Sequence, residues 1–266
     1  MTSRLDAALA ARGLARSRTH AATLIGAGLV TVDGATVVKS STRVADDARI
    51  SVAASDHYVS RAAHKLIAGL DAFDVAVSDR CALDMGASTG GFTQVLRERG
   101  AAPVIAVDVG HGQLDPVIAG DPGVTSLEGY NVRHMDAVGL RAASGVAAPP
   151  SVVTGDLSFI SLTLVLPAVA ATMAAGGDAV LLVKPQFEVG RTAVRGGLVT
   201  DPALRAEAVA DVLWSAWDAG LGTRGVIASP LTGTHGNAEY LVHLAAGTGA
   251  NPTEWLDTIS ELTGAR

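Results

Sequence analysis

The order of segments along the chain predicts an α/β fold: a mostly parallel sheet with helices on both faces, preceded by a small α+β module. Three observations carry that prediction. Beyond residue 60, strand-sized apolar runs at 81–83, 104–107, 124–127, 152–154, 179–183, 225–228 and 240–244 alternate with helical patterns, notably 92–99, 162–173 and 202–219. The first fifty residues follow a different plan, two short helices and then a hairpin. The charge divides at the same place. Residues 1–65 hold nine Lys/Arg against five Asp/Glu, a net of +4, whereas the remainder holds eleven against twenty-one, a net of −10.

From the N-terminus, Leu5, Ala8 and Leu9 share one helical face, and residues 19–25 predict a second helix stopped by Gly26 and Gly28. Residues 29–32 and 35–38 flank Asp33-Gly34, the pair best suited to a two-residue hairpin turn. Residues 50–52 predict a strand that closes a small sheet. The expected organisation is a first domain at 1–52, a linker at 53–60, and a main domain at 61–266 that ends in a helix over 252–264.

Composition narrows the classes of function. With 266 residues, 48% hydrophobic and 17% charged, the chain can bury a sizeable core, which excludes global disorder. No run approaches the roughly 20 apolar residues of a membrane span. The first residues, carrying Arg4 and Asp6, lack the apolar centre of a secretion signal. The single cysteine, Cys81, excludes an internal disulfide and a cysteine-cluster metal site. The expectation is a cytoplasmic monomer with no stable membrane association and no metal. Only three of the twenty basic residues are lysines, Lys39, Lys65 and Lys184. Lysine can give up its proton and arginine cannot, so a chain that otherwise uses arginine has reason to keep lysine where chemistry needs an amine; compositional drift explains the same count equally well.

The segment from Leu83 to Phe92, LDMGASTGGF, places an acid at a strand end, then a glycine-rich turn, then a helix. Such a turn lets backbone approach a ligand closely, in the crevice where open α/β sheets bind nucleotide-like molecules. The spacing is not that of the dinucleotide fingerprint. An acid ahead of the turn, Asp84, repels a pyrophosphate and suits the cationic end of S-adenosylmethionine. One strand later Asp108 ends VIAVD, placed to accept hydrogen bonds from two ribose hydroxyls. Donor-binding candidates are therefore Asp84, Gly86, Ser88, Gly90, Gly91, Phe92 and Asp108. Residues 86–90 also fit the Gly-x-Ser-x-Gly nucleophile elbow, with Asp156 and His235 following in triad order, so a serine hydrolase is a remote alternative. That reading leaves Asp84, Asp108 and the lysines without roles.

Residues 4–52, with the Arg-Leu-Asp start, Ser17-Arg18 and the hairpin in order, closely resemble the S4 RNA-binding domain. The resemblance implies an RNA-facing surface made by Arg4, Arg16, Ser17, Arg18 and Lys39. Contacts of that kind bind phosphates and supply affinity without much sequence choice. Five stretches beyond it, SRAAHKL, the glycine turn, DLSFISL, LVKPQFE and SPLTGTHGNAE, resemble one family throughout. This is the TlyA family, an S4 domain fused to a Rossmann-like class I methyltransferase domain of the FtsJ type.

The resemblance implies methylation of the cytidine ribose 2′-hydroxyl in ribosomal RNA, with S-adenosylmethionine as donor and ribosomal RNA or ribosomal subunits as partner. It places Lys65, Asp156, Lys184 and Glu239 at the family's Lys-Asp-Lys-Glu catalytic positions, and Asn131 near the adenine. Some members carry a hemolysin label, so a lytic or non-enzymatic RNA-binding protein is the competing expectation. Ala62 departs from the glycine expected there, and Thr234-His235 vary the loop before Gly236. Lys184 is the candidate base. Phe159 and Phe187 could line the nucleotide site or the core, and Arg191 and Arg195 could hold RNA phosphates.

Overall fold

The computed structural model describes residues 2–15, 17–26, 28–52, 57–190, 194, 196–233 and 236–265. Arg16, Arg191, Arg195, Thr234, His235 and residues 53–56 lie outside these. The chain divides into two compact units, Met1–His57 and Tyr58–Arg266.

In the N-terminal unit, strand β1 (Thr2–Arg4) leads into helix α1 (Leu5–Ala11), followed by α2 (Arg18–Gly26) and strands β2 (Val30–Val32), β3 (Ala35–Thr36), β4 (Arg43–Ala45) and β5 (Ile50–Val52). Asp33 and Gly34 both take positive φ, 51° and 84°, as a primed hairpin turn requires. The expected sheet forms in the order β3-β2-β5. Leu5, Ala8, Leu9, Ala21, Leu24, Ile25 and Val30 make its core. The ribbon of β1 against β4 was not predicted. Its two strands are three residues long and mostly exposed, too short for an alternation of side chains to mark them in the sequence.

The larger unit begins earlier than expected. Tyr58 packs against its core and the Val59 N–H donates to Gln94 Oε1 at 2.9 Å, so residues 58–60 belong to this unit and not to a linker. Its elements are α3 (Ala63–Ala72), β6 (Ala82–Met85), α4 (Gly91–Glu98), β7 (Val104–Asp108), α5 (Pro116–Ala119), β8 (Val124–Glu128), α6 (Ala137–Ser144) and β9 (Val152–Gly155). These are followed by α7 (Leu166–Thr172), β10 (Asp178–Val183), α8 (Pro185–Glu188), α9 (Pro202–Asp218), β11 (Leu221–Ala228), β12 (Tyr240–Ala246) and α10 (Leu256–Thr263).

The seven strands lie in the order β11-β12-β10-β9-β6-β7-β8. β10, β9, β6, β7 and β8 pair in parallel, whereas β12 is antiparallel to both of its neighbours. Both faces are covered, which is why the strands read as continuous apolar runs such as VIAV and AVLLV. Successive side chains serve opposite layers. Ala82, Val180 and Leu182 pack with Leu66, Leu70, Val95 and Leu96 of α3 and α4, while Leu83, Leu181 and Val183 pack with Leu166, Val169, Val209 and Leu213 of α7 and α9. No helix among the described residues is long and apolar enough to cross a membrane.

Parallel pairing sets the C-terminal ends of β6, β7, β9 and β10 along one edge of the sheet. The reversal of β12 sets its N-terminal end at that same edge, with Tyr240 opposite Val183. Asp108, Asp156, Lys184 and Glu239 reach this edge through that geometry.

Candidate active site

At this edge the turn after β6 carries three positive φ angles, Gly86 (78°), Ser88 (48°) and Gly90 (97°). Gly86 also permits a close approach: a Cβ there would lie 3.0 Å from the Asp156 carbonyl oxygen. The loop after β9 therefore presses against the turn and brings Asp156 beside it. A cavity of about 230 Å³ opens here, lined by turn residues Gly86 to Thr89, Gly91 and Phe92 and by Lys65, Asp156, Ser158, Lys184 and Glu239.

Four elements deliver the ionisable side chains. Lys65 comes from the first turn of α3, Asp156 follows β9, Lys184 follows β10, and Glu239 precedes β12. Lys65 Nζ donates to Glu239 Oε2 at 2.5 Å and lies 3.8 Å from Asp156 Oδ2. Lys184 Nζ lies 2.5 Å from Asp156 Oδ1, an ion-pair contact without hydrogen-bond geometry, and donates to Ser158 Oγ at 2.9 Å. Both lysines and Glu239 are buried. Buried ions are tolerated when they are paired, and here two ammoniums meet two carboxylates. Gly233 closes the loop over Glu239, since a Cβ at that position would overlap the carboxylate. Ala62 has ordinary right-handed helical angles, φ −56° and ψ −29°, so no glycine is required there.

Asp108 ends β7 and accepts from two backbone amides, Ser88 N at 2.8 Å and Gly110 N at 2.7 Å. It ties the glycine turn to the loop after β7. Asp84 sits elsewhere than a ligand contact would require. It is fully buried and absent from the cavity wall, held by Thr93 Oγ1 at 2.6 Å and Thr154 Oγ1 at 3.1 Å. Asn131 is exposed, and its Oδ1 accepts from Arg133 N, capping a short 3-10 turn at Val132–His134. Sequence reasoning gave no role to Ser158, Thr93 or Thr154; a hydroxyl beside a charged partner has no signature until the strands are aligned. For the hydrolase reading, Asp156 is committed to two lysines, and His235 lies outside the described residues.

Burial pushes the Asp84 carboxyl up to about 6, helped by the nearby charge of Asp156 and opposed by the two threonine hydrogen bonds. Its ordinary value is 3.8. A carboxyl raised on folding favours the protonated folded state, so its contribution to stability is fullest below about pH 4 and is lost as pH rises through 6. The difference is about 3 kcal/mol. Asp84→Asn removes this titration. Denaturant unfolding of both proteins between pH 4 and 8 is expected to show the wild type losing stability relative to the variant as pH rises; a pH-independent difference refutes it.

Phe159, three residues past Asp156, is 91% exposed at a φ of 64°, and its ring centroid lies 5.2 Å from that of Phe187 on α8. Core packing is thereby ruled out for Phe159. In the N-terminal unit Arg4, Ser17, Arg18 and Lys39 are all exposed.

Residues 58–246 match the family described as FtsJ-like methyltransferase, and residues 3–50 match the S4 domain. The chain is 49% identical over 250 residues to the 16S/23S rRNA (cytidine-2′-O)-methyltransferase TlyA of Mycobacterium tuberculosis, covering 92% of this chain and 90% of that protein. It is 36% identical to Hemolysin A of Brachyspira hyodysenteriae, covering 90% and 98%. A solved structure from Streptococcus thermophilus, titled as a hemolysin, superposes with a TM-score of 0.76 at 36% identity, over 99% of this chain and 95% of that one. The chain belongs to the TlyA family, in which an S4 domain precedes an FtsJ-like, S-adenosylmethionine-dependent methyltransferase domain.

Proposed function

We propose that the protein methylates the ribose 2′-hydroxyl of a cytidine in ribosomal RNA, acting as a cytoplasmic monomer on the RNA or on ribosomal subunits. The observation that carries this reading is the meeting of Lys65, Asp156, Lys184 and Glu239 in one cavity with the glycine turn. The donor set fits S-adenosylmethionine. The turn lines the cavity and Asp108 lies directly behind it, so the binding edge offers carboxylate and backbone to a cationic, ribose-bearing molecule. Gly86, Ser88, Gly90, Gly91 and Phe92 would hold the donor together with Asp108 and Asn131, while Asp84, buried and held by Thr93 and Thr154, would support the turn from beneath without touching the donor.

Bound S-adenosylmethionine supplies an electrophilic methyl group. The protein's share of the work is alignment of the hydroxyl oxygen and removal of one proton. Lys184 takes that proton at Nζ as the neutral amine, its own ammonium proton having passed to water before RNA and donor close the site, with Asp156 and Ser158 fixing the amine. Lys65, oriented by Glu239, positions the ribose. Exposed Phe159, paired with Phe187, offers the nucleoside base an aromatic face beside the reacting hydroxyl. The S4 unit grips folded RNA through Arg4, Arg16, Ser17, Arg18 and Lys39.

The test mixes purified protein and methyl-labelled S-adenosylmethionine with unmodified ribosomal subunits and with naked rRNA, followed by alkaline digestion. Label in an alkali-resistant dinucleotide is the expected result, because a methylated 2′-oxygen cannot attack the adjacent phosphate. Absence of transfer to both substrates overturns the proposal.

A further inference from the structure

In the N-terminal unit one buried carboxylate organises two exposed cations from different elements. Asp6, in the first turn of α1, is 6% exposed. Its Oδ1 accepts Arg4 Nε at 3.0 Å and Ala7 N at 2.9 Å, and its Oδ2 accepts Arg4 Nη2 and Arg18 Nη2, each at 3.1 Å. Arg4 closes β1 and Arg18 opens α2, so three elements meet at this carboxyl group. The arginine side chains keep 49% and 62% of their surface exposed.

The arrangement has a definite geometric effect. Arg4 is gripped in a two-pronged fork, which fixes the plane of its guanidinium and leaves its Nη1 hydrogens for another acceptor. Arg18 touches the same carboxylate oxygen through one nitrogen, which leaves its Nε and Nη1 hydrogens. Two like charges that would otherwise separate are held at one oxygen, with unused donors on exposed groups. A phosphate, with several acceptor oxygens and negative charge, is the ligand that two such guanidiniums can share.

We propose that Asp6 is a positioning residue for RNA: it sets Arg4 and Arg18 as one phosphate-binding fork, so that removing its negative charge weakens RNA binding. This rests on the RNA-binding reading of the unit. It opposes what net charge alone predicts, since Asp6→Asn makes the unit more basic and counterion release then favours tighter binding.

The experiment measures kcat and KM for rRNA with the full-length enzyme at saturating donor. The variants are Asp6→Asn, Asp6→Glu, Arg4→Gln/Arg18→Gln and the triple Asp6→Asn/Arg4→Gln/Arg18→Gln, each checked by circular dichroism melting. The expected result is a KM for rRNA raised about tenfold by Asp6→Asn, the size of one charge-assisted contact, with kcat unchanged. The triple variant is expected to be no weaker than the double, because Asp6 acts only through the two arginines. Asp6→Glu keeps the charge but moves the carboxylate, so it also raises KM and decides the matter if Asp6→Asn does not fold. If KM stays level or falls in the Asp6 variants while the arginine double variant raises it, Asp6 is a neutraliser and the proposal is overturned. If the arginine double variant leaves KM unchanged, the RNA-binding reading of these residues fails first, and the proposal with it.

Discussion

Lys184→Arg is expected to lower kcat for methyl transfer by at least about a hundredfold, the scale of a lost general base. Arginine keeps the positive charge next to Asp156 but cannot surrender a proton. The variant therefore separates a charge role from a base role, which alanine cannot do. Lys184 is buried, with its amine held between Asp156 Oδ1 and Ser158 Oγ, so the guanidinium replaces a group whose position is already set from two sides. Donor affinity, followed by calorimetry, is expected to change little, because the glycine turn and Asp108 come from other elements. Single-turnover rates with rRNA give the measurement. A rate within a few-fold of wild type leaves Lys184 an electrostatic role and removes it as the base.

Asp108→Ala is expected to weaken S-adenosylmethionine binding about a hundredfold. Two losses combine. The carboxylate is the acceptor proposed for the donor's ribose, and hydrogen bonds to charged groups are each worth roughly 1.5–3 kcal/mol. The same oxygens also hold Ser88 N and Gly110 N, so the turn loses its tether to the loop after β7. Asp108→Asn separates the two, since an amide retains one acceptor oxygen and much of the shape. An intermediate affinity is expected for it. Unchanged donor affinity in Asp108→Ala would mean that the residue is neither a tether nor a ligand. Affinity for RNA, measured without donor, is expected to be unaffected by either change.

Much of the fold is legible in the chain. The strand runs at 104–107 and 179–183 appear where the apolar patterns put them, because residues buried on both faces of a sheet have no polar positions to interrupt the run. The Asp33-Gly34 hairpin is legible for a different reason: few residues accept positive φ, so that pair announces its own turn. The β1-β4 ribbon left no trace, since its stability comes from pairing between segments some forty residues apart and not from either segment alone. The extension of the larger unit back to Tyr58 was hidden likewise, because it depends on a contact with Gln94 on α4.

The candidate site divides in the same way. Residue types and local motifs named Lys65, Asp156, Lys184 and Glu239 through family resemblance, whereas the acid that precedes the glycine turn, read as a ligand contact, is buried behind it. Local sequence determined which residues cap, turn and pair nearby, because those preferences act over a few bonds. Which lysine faces which carboxylate was decided only when β12 ran antiparallel to β10, bringing Glu239 to Lys65 across 174 residues and leaving Asp156 between Lys184 at 2.5 Å and Lys65 at 3.8 Å. Tertiary structure likewise withdrew Asp84 from the cavity wall and turned Phe159 outward. Burial and ion pairing are properties of what packs against a residue, and in this protein the packing partners come from distant strands.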